Sequence, residues 1–336
     1  MGLVPHPVAA MITPMSHTTA RIAAFGASLL LLASCQGDTA ASIAQPREMP
    51  AFDAHRSWQL LLDQVALGPR PSGSEANAQL RELIVKDLEA SGLKPQRQAF
   101  VAKDAPGGPI TMENVFADFE GQAGKKGELA PIVILAAHFD TKLMDFTFLG
   151  ANDGASEVAV LLELARGLAS GPQLDVTYRF VFLDGEEAVR LDWEDPDNRY
   201  GSRHNVKEIT KKKGELKRVR AMILIDMVGD KDLQLERDSN SNRTLMEIFV
   251  KTSVELKMPE LFAPYPIPIL DDHQSYSAFG VPSLDLIDLH YGEFGNEYWH
   301  TDQDVALNCS KESLAKVGKL VLHALPAVEA QFCQNR

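Results

Sequence analysis

Phe180-Val181-Phe182-Leu183-Asp184-Gly185-Glu186-Glu187 is a short apolar run that ends in three acids, two of them adjacent. The run has the length and composition of a strand buried on both faces of a largely parallel sheet. Adjacent carboxylates at the end of such a strand repel each other unless a cation or a shared proton offsets the repulsion. A metalloenzyme offers that arrangement, with one carboxylate as ligand and its neighbour as general acid and base. Taken alone, the pair reads equally well as an acidic turn after a strand.

Outward from it, similar runs occur at 132–137, 221–225 and 283–287. Between the first of these and 178–183 lies 155–170, with Val158, Leu161, Leu162, Ala165 and Leu168 at helical spacing. Further helices are expected at 54–66 and 73–91, parted by Gly68-Pro69-Arg70-Pro71-Ser72-Gly73. Strands alternating with helices predict a single-domain α/β sandwich, a central mostly parallel mixed sheet flanked by helices.

In open α/β sheets chemistry gathers at the carboxyl ends of strands, and here those ends are ionisable. The first run leads into His138-Phe139-Asp140, where a period of two puts His138 and Asp140 on one face, so that one residue can bind metal while the other orients it. Asp153, in Gly150-Ala151-Asn152-Asp153-Gly154-Ala155, stands just before a helix, where an N-cap is the plainer role. Asp226 ends the third run. His300, in Tyr298-Trp299-His300-Thr301-Asp302, would on its own be a satisfied core or surface histidine; with the acids it completes a ligand set suited to zinc.

Near the N-terminus, Arg21 precedes the apolar run 22–32, too short to span a bilayer as a mature helix but suited to a signal sequence. Leu32-Ala33-Ser34-Cys35 resembles the bacterial lipobox, which implies lipidation of Cys35; Gln36 after it points to the outer membrane, facing the periplasm. An ordinary signal peptide with an incidental Cys is the alternative, and Met11 and Met15 stand as alternative starts. The expected organisation is a signal segment 1–35, a tether 36–50 and a catalytic domain 51–336. A formal charge of −13 argues against a nucleic-acid partner, and Lys211-Lys212-Lys213 reads as a solvated loop. Cys309 and Cys333 would be free to pair in an oxidising compartment.

Taken in order, His138-Phe139-Asp140, Gly150 to Ala155, Asp184 to Ala188, Ile225-Asp226-Met227 and Trp299-His300-Thr301 resemble the zinc aminopeptidase family, which also contains the animal-type glutaminyl cyclases. The resemblance runs from about residue 60 to residue 325. Trp193, the segment 198–204, Asp271-Asp272-His273 and Trp299 look more like the cyclases than the peptidases. Three departures stand out: Trp193 lies one residue further from the Glu pair, Asp285 stands where the animal enzymes have His, and 141–149 is local to this chain. The resemblance implies cyclisation of N-terminal Gln of peptides or exported proteins to pyroglutamate, with release of ammonia. It implies one zinc held by Asp153, Glu187 and His300, and Glu186 as proton shuttle. Asp226 and Asp271 would support the shuttle, and Trp193 and Trp299 would flank the substrate. The rival is an aminopeptidase with a second zinc on His138 and Asp226, bridged by Asp153. A silent binding lipoprotein on the same fold is disfavoured by the intact Glu186 and ligand set.

Overall fold

The computed structural model describes residues 48–122, 124 and 127–334. The signal segment, Cys35 and the tether up to residue 47 lie outside them. In chain order the elements are α1 (Ala54–Val65), α2 (Glu75–Ala90), β1 (Gln96–Ala102), β2 (Ile110–Phe119), β3 (Ile132–His138), α3 (Ser156–Ala169) and β4 (Thr177–Leu183). There follow α4 (Tyr200–Lys211), α5 (Glu215–Arg218), β5 (Val219–Asp226), β6 (Leu235–Asp238), α6 (Arg243–Glu255), β7 (Phe262–Ile267), α7 (His273–Ser277), β8 (Ser283–Ile287) and α8 (Lys311–Val328).

The main sheet has the order β1-β2-β4-β3-β5-β8. β4, β3, β5 and β8 are parallel, while β1 and β2 run antiparallel at one edge. Every residue of β3 and β4 is buried, which is why both read as unbroken apolar runs. Their side chains alternate between two cores. Val133, Leu135 and Ala137 face the layer of α1, α2, α3, α6 and α8, whereas Ile132, Ile134 and Ala136 face α4 and α7. α3 is buried almost all round because it lies against both the sheet and the neighbouring helices α1 and α8.

This layering is the expected α/β sandwich. It also contains elements that periodicity did not disclose. β1 is an edge strand whose side chains are mostly exposed or half-buried, so it carries Gln and Arg rather than an apolar run. β6 and β7 form a separate two-stranded sheet. Lys211 closes α4 and Lys212 and Lys213 follow it, all exposed as expected. Cys309 is a buried free thiol with its Sγ 4.0 Å from the Tyr291 hydroxyl, so the bond to Cys333 is not made. Among the described residues no helix is long and apolar enough to cross a membrane.

The chain passes from β3 to β4 on one side of β3 and then to β5 on the other. The order in which strands are added therefore reverses between β3 and β5, and at such a switch point the loops leave a crevice at the carboxyl ends of the parallel strands. His138 and Asp226 end the two strands that border it, with Nε2 and Oδ1 3.2 Å apart.

Candidate active site

Asp140 organises the turn after β4. Its Oδ1 accepts from the Glu186 N–H at 3.1 Å and its Oδ2 from the Glu187 N–H at 3.3 Å. The turn is tied from behind by Asp184, whose carboxylate accepts from the Glu113 N–H (2.9 Å), Ser72 Oγ (2.7 Å) and Asn77 Nδ2 (3.1 Å). Gly185 has φ 78°, and a Cβ there would lie 2.5 Å from Met112 Sδ, so the turn between the acids has to be glycine.

Asp153 is not an N-cap. The cap position of α3 is Ala155 and no side chain caps the helix. The Asp153 carboxylate instead points both ways, with Oδ1 3.3 Å from His138 Nε2 and Oδ2 3.3 Å from His300 Nε2. Its backbone is held by Asp304, which accepts from the Asn152 and Asp153 N–H groups at 2.7 and 3.1 Å and from the Tyr291 hydroxyl at 2.9 Å. Asp304 was not anticipated; its only signal is its place four residues after His300.

His300 sits at φ 54°, stacked on Trp299 at 3.9 Å between ring centroids. Its Nε2 is 2.9 Å from Glu187 Oε1. A tetrahedral cation with bonds of about 2.0–2.1 Å sets its ligand atoms roughly 3.3 Å apart, close to the spacings of His300 from Asp153 and Glu187. These three residues group as a candidate metal site. Glu187 Oε2 is buried without a hydrogen-bond partner, as is Lys142 Nζ 3.7 Å away. The donor set and the orphaned oxygen both fit a cation. The segment 141–149 supplies Lys142 and the buried ring of Phe148, 5.8 Å edge-on from His300, so it walls the ligands on one side.

Above the ligands lies a pocket of about 240 Å³. Asp153, Glu186, Glu187, Asp226, Asp271 and His300 form its polar part, and Trp193, Ile269, Leu270, Ile287, Leu289 and Trp299 its apolar walls. It gathers every anticipated catalytic, substrate-binding and first-metal residue. Despite its shifted sequence position, Trp193 lines the pocket, with the Arg199 guanidinium 5.4 Å from its ring centroid. Burial raises the Glu186 carboxyl well above its usual range; the His138 charge opposes this, and Asp271 and Glu187 add to it. Burial and the neighbouring Asp226 raise Asp271 to about 7. Asp285, fully buried, contacts Asp271 rather than reaching the pocket, and lies 3.6 Å from His273 Nδ1. His138 lies beneath Asp153 and Asp226 together with Glu157, which was not anticipated.

Residues 114–325 match peptidase family M28. The chain belongs to that family. The glutaminyl-peptide cyclotransferase-like protein of Bos taurus is 28% identical over 305 residues, covering 82% of this M28 chain and 76% of the relative. A solved glutaminyl cyclase from an Acidobacteriales bacterium is 30% identical with a TM-score of 0.78, covering 86% of this chain and 99% of that one. A Zn-dependent exopeptidase from Parabacteroides distasonis is 25% identical with a TM-score of 0.70, covering 82% and 98%. The M28 fold thus stands on both sides of the choice between cyclase and peptidase.

Proposed function

We propose that this M28 chain is a glutaminyl-peptide cyclotransferase, acting on the N-terminal Gln of peptides or exported proteins. One observation carries the reading: a small pocket with two tryptophans in its walls places one unliganded carboxylate, Glu186, beside the Asp153–Glu187–His300 set. Its size and apolar walls suit a short side chain, and the 30% identical glutaminyl cyclase agrees.

Asp153, Glu187 and His300 would hold one catalytic zinc, which when bound polarises the γ-amide carbonyl as a Lewis acid. Glu186 takes a proton from the substrate's α-amine as that nitrogen attacks the carbonyl carbon of the side-chain amide. It then returns the proton to the amide nitrogen, which leaves as ammonia while the ring C–N bond remains. A carboxyl raised by burial is basic enough for the first transfer and acidic enough for the second. Asp271, between Glu186 and Asp226, holds the shuttle's surroundings in a shared-proton network. Trp193 and Trp299 enclose the side chain and keep competing water from the amide carbonyl carbon.

The aminopeptidase reading rests on His138 and Asp226, whose 3.2 Å approach offers a second cation the ligands a hydrolase would use. Incubation with a Gln-initiated and an unblocked Leu-initiated peptide separates the two by mass spectrometry. Loss of ammonia from the first alone supports the cyclase; shortening of either peptide supports the peptidase.

For location, we propose a cell-envelope protein anchored by lipid on Cys35, on the strength of Leu32-Ala33-Ser34-Cys35. Cys35→Ala should release the protein from the membrane fraction; unchanged fractionation and processing would refute the anchor.

A further inference from the structure

Between β4 and α4 the chain runs through residues 184–199 with neither helix nor strand, and Trp193 of the pocket wall sits in that stretch. Its neighbours Leu191, Asp192, Glu194 and Asp195 are exposed, so the loop has little packing of its own to hold the indole in place. Asp197 ties the base of the loop. It accepts from the Val189 and Arg190 N–H groups at 3.1 and 2.9 Å and from the Tyr200 hydroxyl at 2.7 Å. The indole itself is met by Arg199, whose guanidinium carbon lies 5.4 Å from the ring centroid.

Arg199 reaches the shuttle as well as the wall. Its backbone N–H donates to the Glu186 carbonyl oxygen at 2.7 Å. Nη1 lies 3.5 Å from the Asp271 carbonyl oxygen, Nε donates to Asn198 Oδ1 at 3.1 Å, and Nη2 donates to Asp195 Oδ1 at 2.6 Å. The backbone is left-handed, φ 50°, a conformation that a non-glycine residue keeps only where its surroundings hold it. The side chain is 6% exposed, whereas that of Asp195 is 58% exposed. An ion pair with so exposed a partner is worth little and does not by itself offset the burial of a guanidinium. The buried contacts, to the Trp193 face and the Asp271 carbonyl, are what that burial secures. A planar fork with a stacking face serves all of these at once, which the point charge of a lysine does not.

We propose that Arg199 is a positioning residue, a clamp that locks the Trp193 wall and the Asp271 backbone onto the Glu186 turn and so sets the shape of the pocket for the glutamine side chain. It touches no reacting atom. It acts through Trp193 first, because the loop around the indole is otherwise exposed. The part concerning glutamine rests on the cyclase reading; the clamp on Trp193 does not.

The test has two arms. In the first, Arg199→Met keeps much of the length of the side chain and removes its donors. The KM for a Gln-initiated peptide should rise about tenfold, the effect of losing one cation–aromatic contact and one hydrogen bond. The fall in kcat should be smaller, and bound zinc should be unchanged. Arg199→Lys, which keeps a charge near the ring, should lie between wild type and Arg199→Met, and it replaces Arg199→Met should that variant fail to fold by circular dichroism. Trp193→Leu should raise KM by itself, and adding Arg199→Met to it should raise KM no further. The second arm needs no turnover. With Trp58→Phe and Trp299→Phe, Trp193 is the only tryptophan left of the three, and acrylamide should quench its fluorescence more strongly once Arg199 is replaced. A folded Arg199 variant with wild-type quenching overturns the clamp, whichever reaction the enzyme performs. Altered quenching with an unchanged KM, or KM effects of Trp193→Leu and Arg199→Met that simply multiply, overturns its role in shaping the pocket.

Discussion

Glu186 and Glu187 share a turn and a pair of backbone hydrogen bonds to Asp140, yet their side chains part company: Glu187 reaches His300 and Glu186 does not. Glu186→Gln keeps size and hydrogen-bonding reach but removes the base. Turnover of a Gln-initiated peptide should fall by about a hundredfold to ten-thousandfold while bound zinc, measured by elemental analysis, is unchanged. Glu187→Gln should instead weaken zinc binding; the reverse pattern would mean the two roles are exchanged. Both acids were legible in the sequence as candidate site residues because five short motifs stand in a family's order. Glu157 was not. An acid in the first turn of a helix has an ordinary explanation in the helix dipole, and only folding brings it 3.1 Å from a histidine at the end of a strand.

At the scale of elements, the four buried parallel strands could be read directly, since burial on both faces leaves an uninterrupted apolar run. The edge strand β1, polar on its exposed positions, could not. Nor could the reason for Arg70, which in the sequence only punctuates the break between two helices. Fully buried, its guanidinium donates to the carbonyl oxygens of Gly68 (2.9 Å), Leu149 (2.8 Å) and Gly150 (2.9 Å). It thereby clamps the connection between α1 and α2 onto the loop that carries Asp153. Arg70→Leu fills much of the volume but strands those carbonyls, each unmade bond costing about 1–3 kcal/mol. A loss on the order of 3 kcal/mol or more in denaturant unfolding is expected, with weaker zinc binding because the Asp153 loop loosens.

At the scale of the whole molecule, the sequence disclosed which edge of the sheet carries chemistry, but not how many acids fold into it. Burial, first of all, raises Asp184, Asp271, Asp272, Asp288 and Asp304 to about 7. Each is protonated in the folded chain over a range, from about 4 to 7, where the unfolded chain has already lost the proton. The folded state then binds more protons, so stability falls as pH rises through that window. His300 acts in the same direction: burial works against its charge, but Glu187 and Asp153 raise it to about 10, so its stabilising charge is lost as pH climbs toward that value. The chelator-stripped protein should therefore unfold at lower denaturant concentration at pH 8 than at pH 5. Zinc reverses the trend at its site, because its ligands must be deprotonated to bind and its contribution grows with pH. The gap between stripped and zinc-loaded midpoints should accordingly widen from pH 5 to pH 8. A gap independent of pH would mean that the buried carboxylates and His300 are not where the metal's binding energy enters the fold.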